Sequence, residues 1–414
     1  MKIRRLPNFS FRAEQLYLVE RRTLAIFLFG IGFFISFFAS FRPWFLWKIE
    51  NTYMIMASLF IILSMLIDKY SSSPIYTNKR IIAPSILAFI FLLYQKVIGE
   101  ASFSGFVGSF FLAYVFYATF KLESSLLNRL TTIITKSLAV FLVISIATFI
   151  LYLLGFPFSG ENTLYGEDFY TFTNYRFFLI DDRALSMLIP RFQSVFLEPS
   201  HLGTVLAVLL QTQRGKWKKP YNIVLFIALL LTFSLGAYVY LVAIIFLNLW
   251  VNRKKILVKG LIVVGIIAAT VVGSIFYNDG DNLLHNLIVL RMEIEDGELA
   301  GNNRTTLDFD KEFDSYLDSN DIWTGRILKD DVGNSGYKVF IYRNGIVGVL
   351  LLVGLVVTAF RNKNDRRTEL AALIVATLIF GVDGFIMWYC RFVPMLATSK
   401  QQHQKAAEEK HPKP

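Results

Sequence analysis

Long apolar runs recur along almost the whole chain, and they constrain its fold more than any other feature. A helix needs about 20 apolar residues to cross the hydrocarbon core of a bilayer, whereas a strand of a membrane barrel needs only about 10. The runs in this chain exceed the length of a barrel strand, so helices are expected. They lie at 24–41, 51–67, 81–98, 103–120, 132–154, 200–213, 221–235, 237–251, 256–277 and 338–360.

A last apolar block at 369–398 decides the number of predicted spans. It is compatible with one tilted helix or with two short helices that turn near Asp383 and Gly384, which gives 11 or 12 spans. Composition agrees, because 55% of the residues are hydrophobic and only 18% are charged, against about 25% charged in soluble domains. The sequence therefore predicts an all-α, polytopic integral membrane protein with one membrane domain at 1–398. The polar tail at 399–414 is expected to be disordered.

Lysine and arginine are distributed unevenly between the two sets of connections, and this predicts the orientation. One alternating set, which includes the N-terminal leader, carries 24 Lys and Arg but only five Asp and Glu. Cytoplasmic loops carry such an excess, so the N-terminus is placed in the cytoplasm, and the positive tail favours 12 crossings. The leader and the first run together resemble a retained signal anchor of an inner-membrane protein. The basic residues are dispersed over six short segments, which gives no support for nucleic-acid binding.

Two connections on the opposite, outer side are far longer than the others there. They lie at about 155–199 and about 278–337. Loops longer than about 12–15 residues are usually functional or disordered. Both contain aromatic and aliphatic residues at ordinary frequency, so both are expected to be folded. The second carries 14 Asp and Glu against five Lys and Arg. These two loops are the expected location of a functional site.

Several kinds of chemistry lack the residues that they need. Cys390 is the single cysteine, so no disulfide can form within the chain. The four histidines and this cysteine have no zinc-ligand spacing, and the sequence contains no phosphate-binding Gly-Lys-Ser/Thr loop. The acidic pairs at 181–182 and 330–331 are interpreted as solvated loop residues rather than as a site for a hard divalent cation. Neither a metal nor a cofactor is predicted.

The segment at 191–203 combines three reactive or charged side chains beside an apolar run: Arg191, Glu198 and His201. Charged residues are costly at a membrane boundary unless they have partners or a task. Pro199 suits the first turn of a helix and puts Glu198 at its N-cap, where capping and interaction with the helix dipole are the structural alternative. The functional interpretation makes Arg191 an anion ligand, Glu198 a carboxylate with a catalytic task, and His201 a titratable group beside it.

Further arginines follow in the predicted outer regions. Arg291 and Arg304 lie in the second long loop, and Arg343 lies just inside the next apolar run. A guanidinium suits a pyrophosphate group because its fork matches two phosphate oxygens at once. Arg343 could instead extend to the membrane surface without a task. Arg176 lies in an aromatic segment that is typical either of an interfacial belt or of a sugar-binding platform.

Four short motifs resemble those of Wzy-type O-antigen and capsule polymerases, within the O-antigen ligase-like superfamily. The central one is Arg-x-x-Ser-x-Phe-x-Glu-Pro-Ser-x-x-Gly at 191–203, and the others are at 232–238, 301–304 and 334–337. They occur in the order that this family shows, and the number of spans and the two long outer loops are similar too. In the second motif, Ser-Leu-Gly-Ala departs from the usual serine–small–glycine form and receives no role. The last motif, Asn-Ser-Gly-Tyr, adds Tyr337 as a substrate-binding candidate.

The resemblance implies a C-type glycosyltransferase that needs no metal. Such polymerases join repeat units carried on undecaprenyl pyrophosphate at the periplasmic face of the bacterial inner membrane. The growing chain is the donor and leaves its lipid pyrophosphate, and a sugar hydroxyl of a new lipid-linked unit is the acceptor. A chain-length regulator would be a further partner.

The candidate residues then divide into catalytic and substrate-binding groups. Glu198 is the first choice for the base that receives the hydroxyl proton, and His201 is the second. Arginines would stabilise the charge of the departing pyrophosphate. The substrate-binding candidates are Arg191 and Arg304, followed by Arg291, Arg343, Arg176 and Tyr337.

Three other functions are compatible with parts of the sequence. An O-antigen ligase has a similar architecture and usually a histidine in the second long loop, for which His285 is the candidate. A repeat-unit flippase would have more evenly spaced spans, shorter outer loops and charges that face a mid-membrane cavity. A structural partner of the assembly machinery would leave the arginine and glutamate cluster without a purpose. We favour the polymerase, then the ligase.

Overall fold

The computed structural model is mostly helical. The residues that it describes are 9–49, 52–71, 73–165, 170–182, 189–252, 256–282, 284–290, 293–295, 298–299, 306–328 and 336–401. In chain order, the helices are α1 (Phe9–Ser40), α2 (Thr52–Asp68), α3 (Ile82–Ile98), α4 (Phe103–Lys121), α5 (Ser124–Leu153), α6 (Pro199–Thr212), α7 (Pro220–Leu231), α8 (Leu235–Val251), α9 (Ile256–Phe276), α10 (Leu307–Leu317), α11 (Tyr337–Phe360), α12 (Arg366–Val382) and α13 (Tyr389–Lys400).

All of these helices except α10 coincide with the apolar runs of the sequence. Among the described residues, five helices are long and apolar enough to cross a membrane: α1 from Glu20 onward, α4, α5, α9 and α11. Four shorter apolar helices, α2, α3, α7 and α8, occupy other predicted runs. On α9, Leu257 and Leu261 are 82% and 72% exposed, and a contiguous apolar surface of this kind needs lipid or another apolar partner. The prediction of an α-helical membrane protein is therefore confirmed.

The last apolar block forms two helices rather than one. α12 and α13 are separated by a connection that begins at Asp383 and Gly384, and Gly384 has a φ of +77°. Glycine is the residue that adopts this left-handed conformation most readily after a helix. Of the two alternatives for this block, the pair of short helices is thus the one that forms. α13 is buried from its first residue as far as Ser399.

α6 and α13 form the centre of the helical bundle. Every residue of α6 from His201 to Thr212 is buried, and α6 packs against α5, α7, α8 and α13. Gly203 allows the close contact with α8, because a Cβ at this position would clash with Ala237. Small residues let two helices approach closely inside a membrane. The glycine of the central motif therefore has a packing role in the first turns of α6.

The first long loop folds into a small antiparallel sheet that the sequence did not predict. Its strands are β1 (Glu161–Tyr165), β2 (Tyr170–Asn174) and β3 (Leu179–Asp181), and they lie side by side in this order. Alternate residues of β2 face inward, so Tyr170 and Phe172 are buried against Leu179 and Leu197. Because Leu197 directly precedes Glu198, the sheet lies beside the start of α6.

The described part of the second long loop packs against the first half of α11. One face of α10 buries Phe309, Phe313 and Tyr316 against Tyr342 of α11. α11 is interrupted at Gly345, where φ is +61° and the loop backbone approaches too closely for a side chain. The loop also contains the short strands β4 (Ile294–Glu295) and β5 (Glu298–Leu299).

Helix ends meet at two opposite faces of the bundle. At one, which we call the Glu198 face, the end of α1 meets the start of α13, where Cys390 N donates to Ser40 Oγ at 2.9 Å. At the other, the opposite face, the end of α13 meets the end of α6, where Gln401 Nε2 donates to the carbonyl of Thr212 at 2.9 Å. α6 and α13 therefore cross the bundle between the same two faces.

Candidate functional site

α6 begins where the sequence predicted, with Glu198 at the N-cap and Pro199 in the first turn. The backbone of Glu198 is extended, with φ −142° and ψ 148°, as is usual for an N-cap. Its carboxylate, however, makes no capping hydrogen bond to the helix. The structural alternative in which Glu198 serves as a side-chain cap is therefore wrong, although the carboxylate still lies at the positive end of the α6 dipole.

Three side chains surround the Glu198 carboxylate. Tyr170 Oη of β2 donates to Oε1 at 3.0 Å, and Ser200 Oγ donates to Oε2 at 2.9 Å. His201 Nε2, in the first turn of α6, lies 3.6 Å from Oε2. Burial raises the pKa of the Glu198 carboxyl, but the His201 imidazole and the two hydrogen bonds outweigh burial and hold this pKa below its ordinary value. The side chain is 27% exposed, so an ionised carboxylate can still be reached from outside.

His201 connects Glu198 to an aromatic ring at the start of α13. The centroids of the His201 and Trp388 rings are 4.7 Å apart, and the rings meet edge to face at 75°. The imidazole is nearly enclosed, and its Nδ1 has no hydrogen-bond partner among the described residues. Its Nε2 faces the carboxylate of Glu198. A histidine in this position can pass a proton to or from the carboxylate.

Two guanidinium groups lie over the Trp388 ring. Arg42 Cζ is 4.7 Å and Arg391 Cζ is 4.6 Å from the ring centroid, within the range of a favourable cation–π contact. Arg391 is fully buried, and its Nη2 lies 2.8 Å from Asp383 Oδ2. Arg42 is exposed and donates to Tyr165 Oη at 2.7 Å. The ring is thus held between a buried ion pair and a cation that solvent can reach.

We call this group of side chains the Trp388 cluster. It combines a partly exposed carboxylate, an imidazole, an indole ring and an exposed guanidinium. Such a set can accept a proton, bind an anion and stack against the apolar face of a sugar. Its members are Arg42, Tyr170, Glu198, His201, Asp383, Trp388 and Arg391.

Arg191 lies at the same face, against the turn between α7 and α8. Its Nε donates to the carbonyl of Thr232 at 3.1 Å, and Phe192 N donates to the carbonyl of Leu231 at 3.0 Å. Thr232 in turn lies beside Gly203 of α6. The segment that carries Arg191 is therefore fixed to the end of α7 and to the first turns of α6.

Arg176 lies in the turn between β2 and β3, and no described contact joins its guanidinium to the Trp388 cluster. The residue is exposed, with a φ of +71°, and its carbonyl accepts a hydrogen bond from Trp44 Nε1 at 3.1 Å. The neighbouring Phe172 and Phe178 are buried in the core, so for these two rings both the interfacial belt and the sugar platform are wrong. Of this aromatic segment, Tyr170 is the residue that bonds to Glu198.

Arg343 and Tyr337, both on α11, have different surroundings. Arg343 Nη2 lies against the end of α3, 3.5 Å from the position that a Cβ on Gly99 would occupy, and no described contact joins it to Glu198. Tyr337 is the first residue of α11 and is half-exposed. The preceding Gly336 N donates to the carbonyl of Asp383 at 3.3 Å. Tyr337 therefore adjoins the Trp388 cluster, and Arg343 belongs to another part of the bundle.

Two predicted ligands of the pyrophosphate, Arg291 and Arg304, lie outside the described residues. His285, the candidate of the ligase interpretation, is described. Its ring packs against Gly280 at the end of α9, and its backbone N–H donates to Asn282 Oδ1 at 3.0 Å. In the described part of the chain, no contact joins His285 to the Trp388 cluster, and no group of three or more His, Cys, Asp or Glu side chains is arranged to hold a metal ion.

Sequence reasoning missed five members of the Trp388 cluster: Arg42, Tyr170, Asp383, Trp388 and Arg391. A signal for two of them was present, because Asp383 and Arg391 both interrupt the last apolar block. An ionisable residue inside a membrane segment is a candidate for function by default, and its partner is usually another such residue. Arg42 gives no comparable signal, since an arginine just after an apolar run is ordinary at a membrane interface.

Three of the four sequence motifs converge at the Glu198 face. The central motif at 191–203 contacts the second motif at 232–238 through Thr232, and the described end of the motif at 334–337 contacts Asp383. No protein-family model matches this chain, and comparisons with curated proteins and with solved structures find no match either.

Proposed function

We propose that this chain is a membrane-embedded glycosyltransferase that polymerises oligosaccharide repeat units carried on undecaprenyl pyrophosphate. The observation that carries the proposal is the Trp388 cluster, in which Glu198 and His201 lie beside guanidinium groups and an indole ring. A reaction that moves a sugar from a pyrophosphate to a hydroxyl needs a proton acceptor and positive charge for the leaving group. The resemblance of the motifs supports the same function.

We infer 12 spans, supplied by α1–α9 and α11–α13, with the N-terminus in the cytoplasm of a bacterium. The excess of lysine and arginine then assigns the opposite face to the cytoplasm and the Glu198 face to the periplasm. α6 has 14 residues and so extends about 21 Å, which is less than the hydrocarbon thickness of about 30 Å. On this topology at least one end of α6 is recessed from the membrane surface.

The proposed reaction uses Glu198 as the base. The hydroxyl oxygen of the acceptor sugar bonds to the anomeric carbon of the donor chain while the bond from that carbon to the pyrophosphate oxygen breaks. The hydroxyl proton passes to Glu198, whose carboxylate is ionised because its pKa is held below the ordinary value. It accepts the proton as the new bond to the anomeric carbon makes the hydroxyl acidic. His201 lies 3.6 Å away and would take the proton onward.

The departing pyrophosphate keeps the electron pair and needs nearby cations. Within the Trp388 cluster, the exposed Arg42 is available for this contact, while the buried Arg391 is given the role of fixing Trp388 against His201. Arg191 stays a proposed ligand because it lies at the same face, and Arg291 and Arg304 stay predictions. Arg343 is left out of the mechanism because it packs against the end of α3.

Deletion of the gene in its own host, followed by electrophoresis of the surface polysaccharide, tests this function. We expect the ladder of chains to collapse to core that carries one repeat unit, and the intact gene to restore it. Complete loss of the O-chain, with polymer accumulating on the lipid carrier, would indicate a ligase and would make His285 the next residue to study. Loss of all outer-face intermediates would indicate a flippase, and a catalytic role for Glu198 would then be wrong.

A further inference from the structure

Two tyrosines of the small sheet contact two reactive groups of the Trp388 cluster. Tyr170 Oη of β2 donates to Glu198 Oε1 at 3.0 Å, and Tyr165 Oη of β1 accepts from Arg42 Nη1 at 2.7 Å. The register of the antiparallel pair places Tyr165 directly opposite Tyr170. Directly opposed residues of two strands lie close together on the same face of a sheet. One face of the sheet therefore contacts both the proposed base and a proposed ligand of the pyrophosphate.

The two oxygens of the Glu198 carboxylate have different surroundings. Oε2 accepts from Ser200 Oγ at 2.9 Å and also faces His201 Nε2 at 3.6 Å. Among the described residues, Tyr170 is the one donor to Oε1. An ionised carboxylate oxygen can accept two hydrogen bonds, so Oε1 can accept one more. The hydroxyl of an acceptor sugar is therefore expected to bond to Oε1, next to the hydroxyl of Tyr170.

The backbone of Arg42 is held in an unusual conformation. Its φ is +55°, in the left-handed region that residues other than glycine adopt rarely. Trp47 Nε1 donates to the Arg42 carbonyl at 2.9 Å, and the Trp47 ring packs against that of Tyr165, with the centroids 4.8 Å apart. Such a conformation persists only where the surroundings fix it, and it is common at active sites and ligand clamps. A guanidinium has five N–H donors, so the bond to Tyr165 leaves others for a phosphate group.

We propose that the paired strands β1 and β2 position the two reactive groups for the transfer. Tyr170 orients Oε1 of Glu198 toward the acceptor hydroxyl. Tyr165 orients the guanidinium of Arg42 toward the departing pyrophosphate. The separation of base and cation is then set by the register of the two strands, and this inference rests on the proposed function. The contacts form a closed chain whose members, in order, are Glu198, Tyr170, Tyr165, Arg42, Trp388 and His201.

The titration of Glu198, followed by infrared spectroscopy of the purified full-length protein, tests the first contact without any substrate. The difference from the matching Glu198→Gln protein isolates this carboxylate among the 31 Asp and Glu of the chain. Burial raises the pKa of this carboxyl, and the charge of Asp383 adds to the rise. His201 and the hydrogen bonds from Ser200 and Tyr170 lower this pKa. Tyr170→Phe removes one of the lowering contacts, so the pKa of Glu198 should rise.

Turnover and the binding of undecaprenyl pyrophosphate separate the two roles. At neutral pH, Tyr170→Phe should lower turnover about tenfold and leave binding unchanged, and the acidic limb of its pH profile should move to higher pH. Tyr165→Phe should weaken binding about tenfold and leave the titration of Glu198 unchanged. A hydrogen bond to a charged group contributes roughly this factor. Tyr175→Phe is the matched control, because Tyr175 directly follows β2 but packs against the core of the bundle.

Each role can be overturned by itself. An unchanged titration of Glu198 in Tyr170→Phe, or an equal shift in Tyr175→Phe, would overturn the role of Tyr170 whether or not the chain is a polymerase. Unchanged binding of undecaprenyl pyrophosphate by Tyr165→Phe would overturn the role of Tyr165. If the unmodified protein bound no undecaprenyl pyrophosphate and joined no repeat units, the proposed function and the role of Tyr165 would both be wrong. The titration would still decide the role of Tyr170.

Discussion

Glu198 and Asp365 are both acidic residues at the N-cap of a helix, and their carboxylates are used in different ways. Asp365, before α12, accepts hydrogen bonds from Thr368 N at 3.2 Å and from Thr368 Oγ1 at 2.6 Å. Glu198, before α6, makes no capping bond and instead accepts from Tyr170 and Ser200 beside His201. The carboxylate of Asp365 caps its own helix, and the carboxylate of Glu198 faces a group of reactive side chains.

The chemistry of the two residues explains the difference. Aspartate is among the preferred N-cap residues because its short side chain reaches the backbone N–H groups of the first turn, whereas glutamate is not among them. A glutamate at this position therefore contributes little to the helix end and needs another reason to be there. For Glu198, the structure offers one in the hydrogen bond from Tyr170 and in the facing imidazole of His201.

Glu198→Gln should have the largest effect on activity. Glutamine keeps one of the two oxygens, so it can still accept from either Tyr170 or Ser200, and its NH2 group can donate to the other hydroxyl. It cannot take a proton, so polymerisation should fall by about 10²- to 10⁴-fold, the usual contribution of a general base. The turnover of lipid-linked repeat units by the purified protein would measure this loss, with the melting temperature unchanged. Full activity of the variant would exclude Glu198 as the base and leave His201 as the candidate.

The pH profile of the same two proteins sharpens this prediction. The pKa of Glu198 is held below its ordinary value, so the reactive ionised form is lost only when the pH falls through that lowered pKa. The activity of the unmodified protein should therefore persist through the ordinary glutamate range and decline only below it. The residual activity of Glu198→Gln should lack this decline. An identical acidic decline in both proteins would assign the titration to another group.

The next largest effect is expected on stability, from Arg391→Met. This change removes the fully buried cation that faces Asp383 across 2.8 Å. Breaking a buried ion pair by removing one partner typically costs about 3–5 kcal/mol, because the other charge stays buried. We expect a large fall in melting temperature, which the double variant Arg391→Met with Asp383→Leu should reverse in part. If Arg391→Met alone were as stable as the unmodified protein, the ion pair of Arg391 and Asp383 would not stabilise the Glu198 face.

Arg42→Gln should lower activity about a hundredfold with little change in stability. The guanidinium of Arg42 is exposed, and loss of one preorganised group that stabilises developing charge typically costs 10²–10³ in rate. Lys48→Gln is the matched control, because Lys48 is an exposed cation that follows α1 on the same side. Equal losses of turnover in both variants would reduce the role of Arg42 to general attraction of an anionic substrate.

The helices and the start of α6 could be predicted from the sequence, because a span or a helix terminus is encoded by neighbouring residues. The length of an apolar run and the position of Pro199 are local features of this kind. The Trp388 cluster is not local, since Arg42, Glu198 and Trp388 come from three distant segments that only packing brings together. The small sheet escaped prediction because its strands are only three to five residues long.

The smallest effect is expected from Asp365→Ala, which tests the other half of the comparison. Loss of an N-cap side chain costs typically about 1 kcal/mol, so the melting temperature should fall slightly while the turnover of each folded molecule stays the same. Asp365→Asn should recover most of the stability, since asparagine caps a helix as well as aspartate does. Glu198→Ala should show the reverse pattern: turnover should be lost, and the melting temperature should change little, because Glu198 makes no capping hydrogen bond to α6. Asp365→Ala could instead reduce turnover as strongly as Glu198→Ala. The two faces of the bundle would then be coupled through α13. A carboxylate that only caps its own helix could then still influence the reaction.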